Sequence, residues 1–566
     1  MIIPAALRTR FGNLLPAEAR VLARMAEDEE VVIGGDLPTE GDATRKIRAE
    51  FVAVLAHGGC EGAAPPPSGL HIRGAWIAGE LDLRGPQIDL DLGLYDCRFD
   101  APPLLRSARL ANLYLNRSRL PGIVADGLET RGDVFLRGAV VQGEARFPGA
   151  RLGGNFDCDG ARFEPEGGFA LTADRLETQG GVVLDGAVVQ GEARFLGARL
   201  GGDLSCDGAR FKREGGEALT ADRLETRGDV FLRGAVVQGE ARFPGARLGG
   251  TLDCDGARFE REGGKALFLQ GAEVAGAFFL REGASVRGEL DLSGARIEHI
   301  NDDRACWPGP GDLLLDRCRY GAFIGGPVDA RSRLDWLALQ DEAQFGQDFW
   351  PQPYEQLAKV FREMGHAADA RAVLIRKEKL QRRARRARMT PPGRALYALR
   401  DGLLAVTLRY GRAPMLAGAW LLALAVIGFA LFDVAAQHGA IKPNTGYTLR
   451  APEWVACGAA MGETVHDPAT GETLKGRREA EHGTRLDCFL AQPEGRNYPR
   501  FDAAIYSLDT LLPIVDLEMQ DFWIPDETAD WPYAEATRWY LWLHIGLGWG
   551  LSLLAVAGFS GLVKSD

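Results

Sequence analysis

The amino-acid sequence predicts a mainly β fold, a parallel β-helix with helical caps, followed by a two-helix transmembrane domain. Three observations predict it: a near-identical internal repeat, a regular spacing between large apolar residues, and two long apolar runs near the C-terminus. A chain of 566 residues is too long for one compact core, so units of different character are expected.

The internal repeat is 48 residues long. The segment that begins at Leu128 recurs at Leu176 and again at Leu224. Self-similarity at a fixed period of this length is typical of solenoids, in which each unit buries its apolar face against its neighbours.

A finer pattern runs inside the repeat. A small residue stands two positions before a large apolar one, as in Ala145 and Phe147, and the large residues follow in steps of five and six. This is neither a helical period nor a sustained strand alternation. It fits a coil of four short sides, with Phe147 inside and Arg146 outside. One coil then takes 22 residues, and the other 26 form a second coil enlarged by a loop at 166–168.

The pattern assigns residues 68–325 to the solenoid, in ten or eleven coils. Helix-period apolar positions before Pro65 predict an N-terminal helical cap over residues 1–67. Cys158, Cys206 and Cys254 recur in register, which suggests a metal or redox site. In the coil model each is two strand spacings from the next, roughly 9 to 10 Å, so they are interpreted as separate core thiols.

The small-x-Leu and small-x-Phe steps resemble those of pentapeptide-repeat proteins. This resemblance implies a right-handed quadrilateral β-helix that serves as a rigid interaction surface and has no common catalytic site. The steps of six residues depart from the family's five. A protein partner on the solenoid is expected from the resemblance.

Residues 326–412 are predicted to form a helical hairpin and a basic juxtamembrane linker. Nucleic-acid binding is disfavoured, because the whole chain carries a net charge of −12 and the linker lacks aromatic platforms. The linker is instead interpreted as a determinant of topology that touches anionic lipid, through Arg382, Arg383, Arg385, Arg386 and Arg388.

Two apolar runs, 413–434 and 539–563, are long enough to span a bilayer. The basic residues before the first run place both termini in the cytoplasm, which predicts a multi-pass protein of a bacterial inner membrane. Residues 435–500 then form a periplasmic loop domain. Because that compartment is oxidising, Cys457 and Cys488 are predicted to form a disulfide.

Residues 501–518 are apolar but too short to cross a bilayer. The order of span, short helix, loop and span resembles that of two-transmembrane pore-loop ion channels. The potassium-filter sequence is absent, so the resemblance implies no potassium selectivity. Asp502, Asp509 and Asp516 are the candidate pore-lining residues of a homo-oligomer. The alternative is that they cap helices or face water.

Three classes of function remain open. The first is a membrane effector with channel-like character whose solenoid senses or binds a partner, and the second is a membrane-anchored scaffold without transport. The third, a membrane-associated oxidoreductase, has no support from a catalytic, cofactor-binding or metal-ligand motif. The sequence therefore predicts no cofactor and does not favour an enzyme.

Overall fold

The computed structural model describes residues 4–25, 30–85, 87–340, 349–408, 415–480 and 483–559. The chain forms two compact units, Met1–Lys377 and Glu378–Asp566. The first contains a parallel β-solenoid over residues 70–325 and the second contains two long apolar helices. The predicted fold class is confirmed.

The solenoid has about eleven turns, and its short strands stack in parallel to form four faces. Face 1 contains Arg109–Leu110, Glu129–Thr130, Arg151–Leu152, Glu177–Thr178, Arg199–Leu200, Glu225–Thr226, Arg247–Leu248, Glu273–Leu280, Arg296–Asp302 and Arg319–Gly325. Face 2 contains Val31–Val32, Leu70–Arg73, Leu92–Tyr95, Leu113–Tyr114, Val134–Phe135, Phe156–Asp157, Val182–Val183, Leu204–Ser205, Val230–Phe231 and Leu252–Asp253, and the last three strands of face 1 continue onto it.

The other two faces follow along each turn. Face 3 contains Lys46–Arg48, Trp76–Ala78, Arg98–Phe99, Arg119–Leu120, Val140–Val141, Arg162–Phe163, Val188–Gln190, Arg210–Thr220, Val236–Arg242, Arg258–Phe268 and Ser285–Asp291. The last four of these continue onto face 4, which also contains Ile123–Val124, Ala145–Arg146, Phe169–Thr172, Glu192–Arg194 and Leu313–Leu314.

The register confirms two coils per repeat. Glu129 pairs with Arg151 and Arg151 pairs with Glu177, so the coils alternate between 22 and 26 residues. Phe147 is fully buried, as predicted. Arg146 points outward, where it donates to Asp126 at 2.8 Å. The corners use left-handed backbone, as at Gly149 with φ of 67°, a conformation that glycine adopts without steric cost.

The three recurrent cysteines are separate, as the coil model predicts. Phe156 pairs with Val182 and Val182 with Leu204, so Leu184 lies between Cys158 and Cys206. All three thiols are buried, and burial raises the pKa of each. A buried thiol with a raised pKa is a poor nucleophile and a poor metal ligand.

The N-terminal cap contains the helices α1 (Ala5–Phe11), α2 (Pro16–Arg24) and α3 (Ala49–Ala56). It is not purely helical, because Val31–Val32 and Lys46–Arg48 pair with the first full coil. Solenoid strands therefore begin before residue 68, where the sequence placed the boundary. These strands are too short to show a period of their own.

The solenoid, which contains a 3-10 turn at Arg304–Cys306, is followed by the helices α4 (Ala330–Leu337), α5 (Gln352–Glu363) and α6 (Ala367–Ala387). The α5 helix caps the last coil. Its Gln352 side chain donates to the carbonyl oxygen of Cys318 at 3.1 Å, and its Gln356 side chain donates to that of Tyr320 at 2.7 Å. These bonds satisfy backbone acceptors that the end of a solenoid leaves open.

The second unit is mainly helical. Its helices are α7 (Pro391–Leu408), α8 (Met415–Gln437), α9 (Gly446–Leu449), α10 (Pro452–Ala456), α11 (Arg485–Ala491), α12 (Ala503–Leu511), α13 (Met519–Phe522) and α14 (Ala534–Phe559), with a 3-10 turn at Gly495–Asn497. Its strands form two antiparallel pairs, Ile441–Pro443 with Trp523–Pro525 and Thr464–His466 with Thr473–Lys475. Residues 413–414 and 560–563 of the predicted spans lie outside the described residues.

Deleting residues 176–223 should leave a folded protein, because it removes two whole coils and joins Arg175 to Leu224 in the context that Leu224 already has. The rod should shorten by about 10 Å, two strand spacings. Deleting only 176–186 removes two faces of one coil, which then cannot close. Circular dichroism melting should show the solenoid's unfolding transition near its wild-type temperature for the first variant, and its loss or a large downward shift for the second. Equal melting of both would contradict the assignment of coils.

Candidate functional site

Two helices of the second unit, Met415–Gln437 and Ala534–Ala557, are long and apolar enough to cross a membrane. At 1.5 Å per residue, the first reaches about 34 Å, against about 30 Å of hydrocarbon in a bilayer. In each helix only 22% of the apolar window is buried. Large apolar side chains such as Leu422, Val426 and Leu553 are exposed, unlike those of a core helix in a water-soluble domain.

The short helix α12 lies between α8 and α14, and two glycines permit its close approach. A Cβ atom on Gly428 of α8 would lie 2.3 Å from Oγ of Ser507. A Cβ atom on Gly548 of α14 would lie 1.9 Å from the carbonyl oxygen of Leu511. Small residues of this kind let helix backbones pack tightly in a bilayer.

A buried polar cluster fastens α12 to both long helices. Ser507 Oγ donates to the carbonyl oxygen of Ala425 in α8 at 2.9 Å. His544 Nε2 of α14 lies 3.1 Å from the carbonyl oxygen of Ser507, which only accepts, so Nε2 is the donor. The Tyr540 hydroxyl lies 3.1 Å from Nδ1 of the same ring. Both ring nitrogens thus have partners, and His544 holds α12 in place.

Two of the three candidate pore aspartates each accept two backbone hydrogen bonds within the chain. Asp502 caps α12 and accepts from two backbone N–H groups of its first turn. Asp509 is buried, and its two carboxylate oxygens accept from the backbone of Leu517 and of Gln520, each at 2.7 Å. Asp509 therefore shapes the loop that follows α12.

Asp516 differs from the other two. It lies in the loop after α12, is exposed, and accepts one hydrogen bond, from the backbone N–H of Glu518 at 2.9 Å. The neighbouring Ile514 is 86% exposed. Asp502 is exposed too, but its carboxylate caps α12, so Asp516 is the exposed carboxylate of the three that does not cap a helix.

Cys457 and Cys488 form a disulfide, with Cα atoms 5.7 Å apart. Trp454 and Phe489 pack around it in a small apolar cluster. The bridge joins α10 to α11 and gives the segment between the long helices its own core.

The five linker arginines have different surroundings. Arg382 donates to Asp401 of α7 at 2.7 Å, and Arg386 lies 3.7 Å from the same buried carboxylate. These contacts join the end of α6 to α7. Arg383, Arg385 and Arg388 are exposed, which suits contact with lipid phosphate groups.

A second candidate site lies on the solenoid. Outward side chains of face 1 alternate in charge from Arg109 to Arg296, and a further arginine follows in the last coil. We call this column the charge ladder: Arg109, Glu129, Arg151, Glu177, Arg199, Glu225, Arg247, Glu273, Arg296 and Arg319. Adjacent opposite charges lie 2.9 to 3.9 Å apart. An open groove of about 1480 Å³ runs along the ladder from Glu177 to α5.

No protein-family model, no curated protein and no solved structure matches this chain. Its class rests on the architecture alone: a parallel β-solenoid protein that also carries two long apolar helices.

Sequence reasoning missed Ser507, Gly428 and the charge ladder. Gly428 and Ser507 belong to separate segments, and neither stands in a motif. Gly546 and Gly550 of α14 stand four residues apart, a spacing that favours close helix packing in a bilayer, but a Cβ atom on either would have no atom of another segment within 4 Å. The charge ladder does leave a signal in the sequence, because each of its residues follows the first inward-pointing residue of a coil. That signal can be recognised only once the alternating coil lengths are known.

Proposed function

We propose that this chain is an inner-membrane protein whose cytoplasmic β-solenoid binds or senses a partner and is coupled to a channel-like unit of two membrane spans. The observation that supports it best is the position of α12, a short helix held between two exposed apolar helices by buried hydrogen bonds. Irregular backbone at membrane depth is tolerated where it is buried in protein or lines a water-filled cavity.

The topology proposed for the unit follows from charge. Exposed Arg383, Arg385 and Arg388 precede α8, so we place that side in the cytoplasm. The disulfide Cys457–Cys488 then belongs to the periplasmic side, where disulfides persist. The resemblances to pentapeptide-repeat proteins and to pore-loop channels agree with this proposal. The proposal does not include potassium selectivity.

Substituting Asp516 by asparagine should lower cation conductance. An exposed carboxylate in the loop after α12 raises the local cation concentration in a symmetric assembly, and asparagine removes the charge while keeping an oxygen that accepts from Glu518. The measurement is single-channel current of the purified protein in planar bilayers, with the subunit count determined in nanodiscs. A severalfold loss at low salt, which shrinks at high salt, is expected.

The matched control is Asp521→Asn, an exposed aspartate in α13. It should leave the current unchanged. A wild-type protein that forms no ring and passes no current refutes the channel proposal.

A membrane-anchored scaffold is the second candidate. The observation that favours it is that the buried polar groups of α12, Asp509 and Ser507 among them, bond within the chain, which suits a plain structural role. Absence of current together with retained partner binding by the solenoid would select this function.

A further inference from the structure

The charge ladder alternates from Arg109 to Arg296 and then breaks. Its last two members, Arg296 and Arg319, are both cationic, and they are direct partners in adjacent strands. Opposite charges in register stabilise a sheet, whereas like charges directly opposite destabilise it. Stability of the stack therefore explains the alternating part of the ladder and does not explain Arg319.

The α5 helix adds further cations at this end of the groove. The bonds from Gln352 and Gln356 to the last coil fix the helix on the solenoid. Lys359 and Arg362 follow about one and two turns after Gln356 and line the same groove as Arg296 and Arg319. Four cationic side chains thus line the part of the groove formed by α5 and the last two coils.

Carboxylates neutralise only part of this charge. Glu273 pairs with Arg296 at 2.9 Å, Glu363 lies 3.8 Å from Lys359, and Glu355 pairs with Lys377. Over the described ranges, neither Arg319 nor Arg362 forms an ion pair with a carboxylate. Glu298 is the remaining carboxylate that lines this end of the groove, and within the described residues it also forms no ion pair.

We propose that this groove docks a segment of a partner protein, with a run of carboxylates of the partner bound by Arg319 and Arg362. The inference rests on the proposed function of the solenoid as a binding surface and names the chemistry of its partner. The exposed ion pairs of the charge ladder are weak and exchange readily. Acidic and basic side chains of the same partner segment can therefore pair with ladder residues along the groove in place of those ion pairs.

The charge pattern and size of the groove favour a protein segment over a nucleic acid or a small inorganic anion as its ligand. A phosphodiester backbone laid along it would run past Glu273, Glu225 and Glu177, each of which repels phosphate. A single inorganic anion would occupy only a small part of about 1480 Å³. A polypeptide carries both charge signs and extends over several coils.

The test uses the full-length protein in nanodiscs and a fluorescent peptide in which a run of glutamates precedes alternating lysines and glutamates. Fluorescence anisotropy should show binding that weakens at least about tenfold when Arg319→Glu and Arg362→Glu are combined. Glu298→Gln should tighten binding by removing a repelling charge. The matched control is Arg210→Glu with Arg258→Glu, two exposed arginines of face 3 without an ion pair in the described part of the chain, which should leave binding unchanged.

Equal binding by the Arg319/Arg362 variant and the control variant would overturn the proposal, as would absence of peptide binding. Displacement of the peptide by low concentrations of inorganic phosphate or of single-stranded DNA would replace it with a simple anion site or a nucleic-acid site. Current measured on the same preparation separates the two proposals. Peptide binding without current would refute the channel proposal, and current without peptide binding would refute the docking proposal.

Discussion

Phe211→Asp should unfold the coils around face 3, whereas Arg210→Asp, one residue earlier, should cost little. Phe211 is fully buried inside the solenoid and Arg210 is exposed on the same strand. Loss of a buried phenylalanine costs roughly 3 to 5 kcal/mol, and a buried carboxylate without a partner adds several more. The sum approaches the whole stability of an ordinary domain.

Hydrogen exchange is the suitable measurement, because a chain of two units does not unfold in one step. Protection should be lost in the coils next to Phe211 and retained near the N-terminal cap, since each coil contacts mainly its neighbours. The Arg210 control is better matched than Arg146, whose ion pair with Asp126 would become a repulsion on substitution by aspartate. Similar exchange in the two variants would show that the inward assignment is wrong.

The solenoid was predictable because one rule repeats in every coil. A large apolar residue such as Phe147 or Phe211 must point inward wherever a short side of the coil occurs, so its spacing reveals the coil length. The strands Val31–Val32 and Lys46–Arg48 escaped prediction because two or three residues carry no period. These strands form because they pair with the open edge of the first full coil.

The second unit was predictable in outline only. Length and composition identify the two apolar helices, yet the contact of Ser507 with His544 depends on tertiary packing between distant segments. Asp502 illustrates what sequence position alone cannot decide. A residue just before α12 could line a pore or cap the helix, and in the structure Asp502 caps it. Asp516 stays a candidate because its carboxylate is exposed and does not cap a helix.

Arg333→Met should strongly destabilise the C-terminal end of the solenoid. The Arg333 side chain is fully buried, donates to both carboxylate oxygens of Asp302 at 2.5 and 2.8 Å, and stacks on Phe323 at 3.7 Å. Methionine fills much of the volume but leaves Asp302 as a buried charge without its cation. Removal of one partner of a buried ion pair typically costs about 3 to 5 kcal/mol.

The double variant Arg333→Met with Asp302→Asn should recover much of this loss, because no uncompensated charge then remains and asparagine can still accept from Trp307. The control is Arg304→Met, which breaks an exposed pair with Asp335 and should change stability by no more than about 1 kcal/mol. Hydrogen exchange of Arg296–Asp302 and Arg319–Gly325 reports on the same coils. If the double variant is no more stable than Arg333→Met alone, the loss comes from packing around Phe323 and not from the unpaired carboxylate.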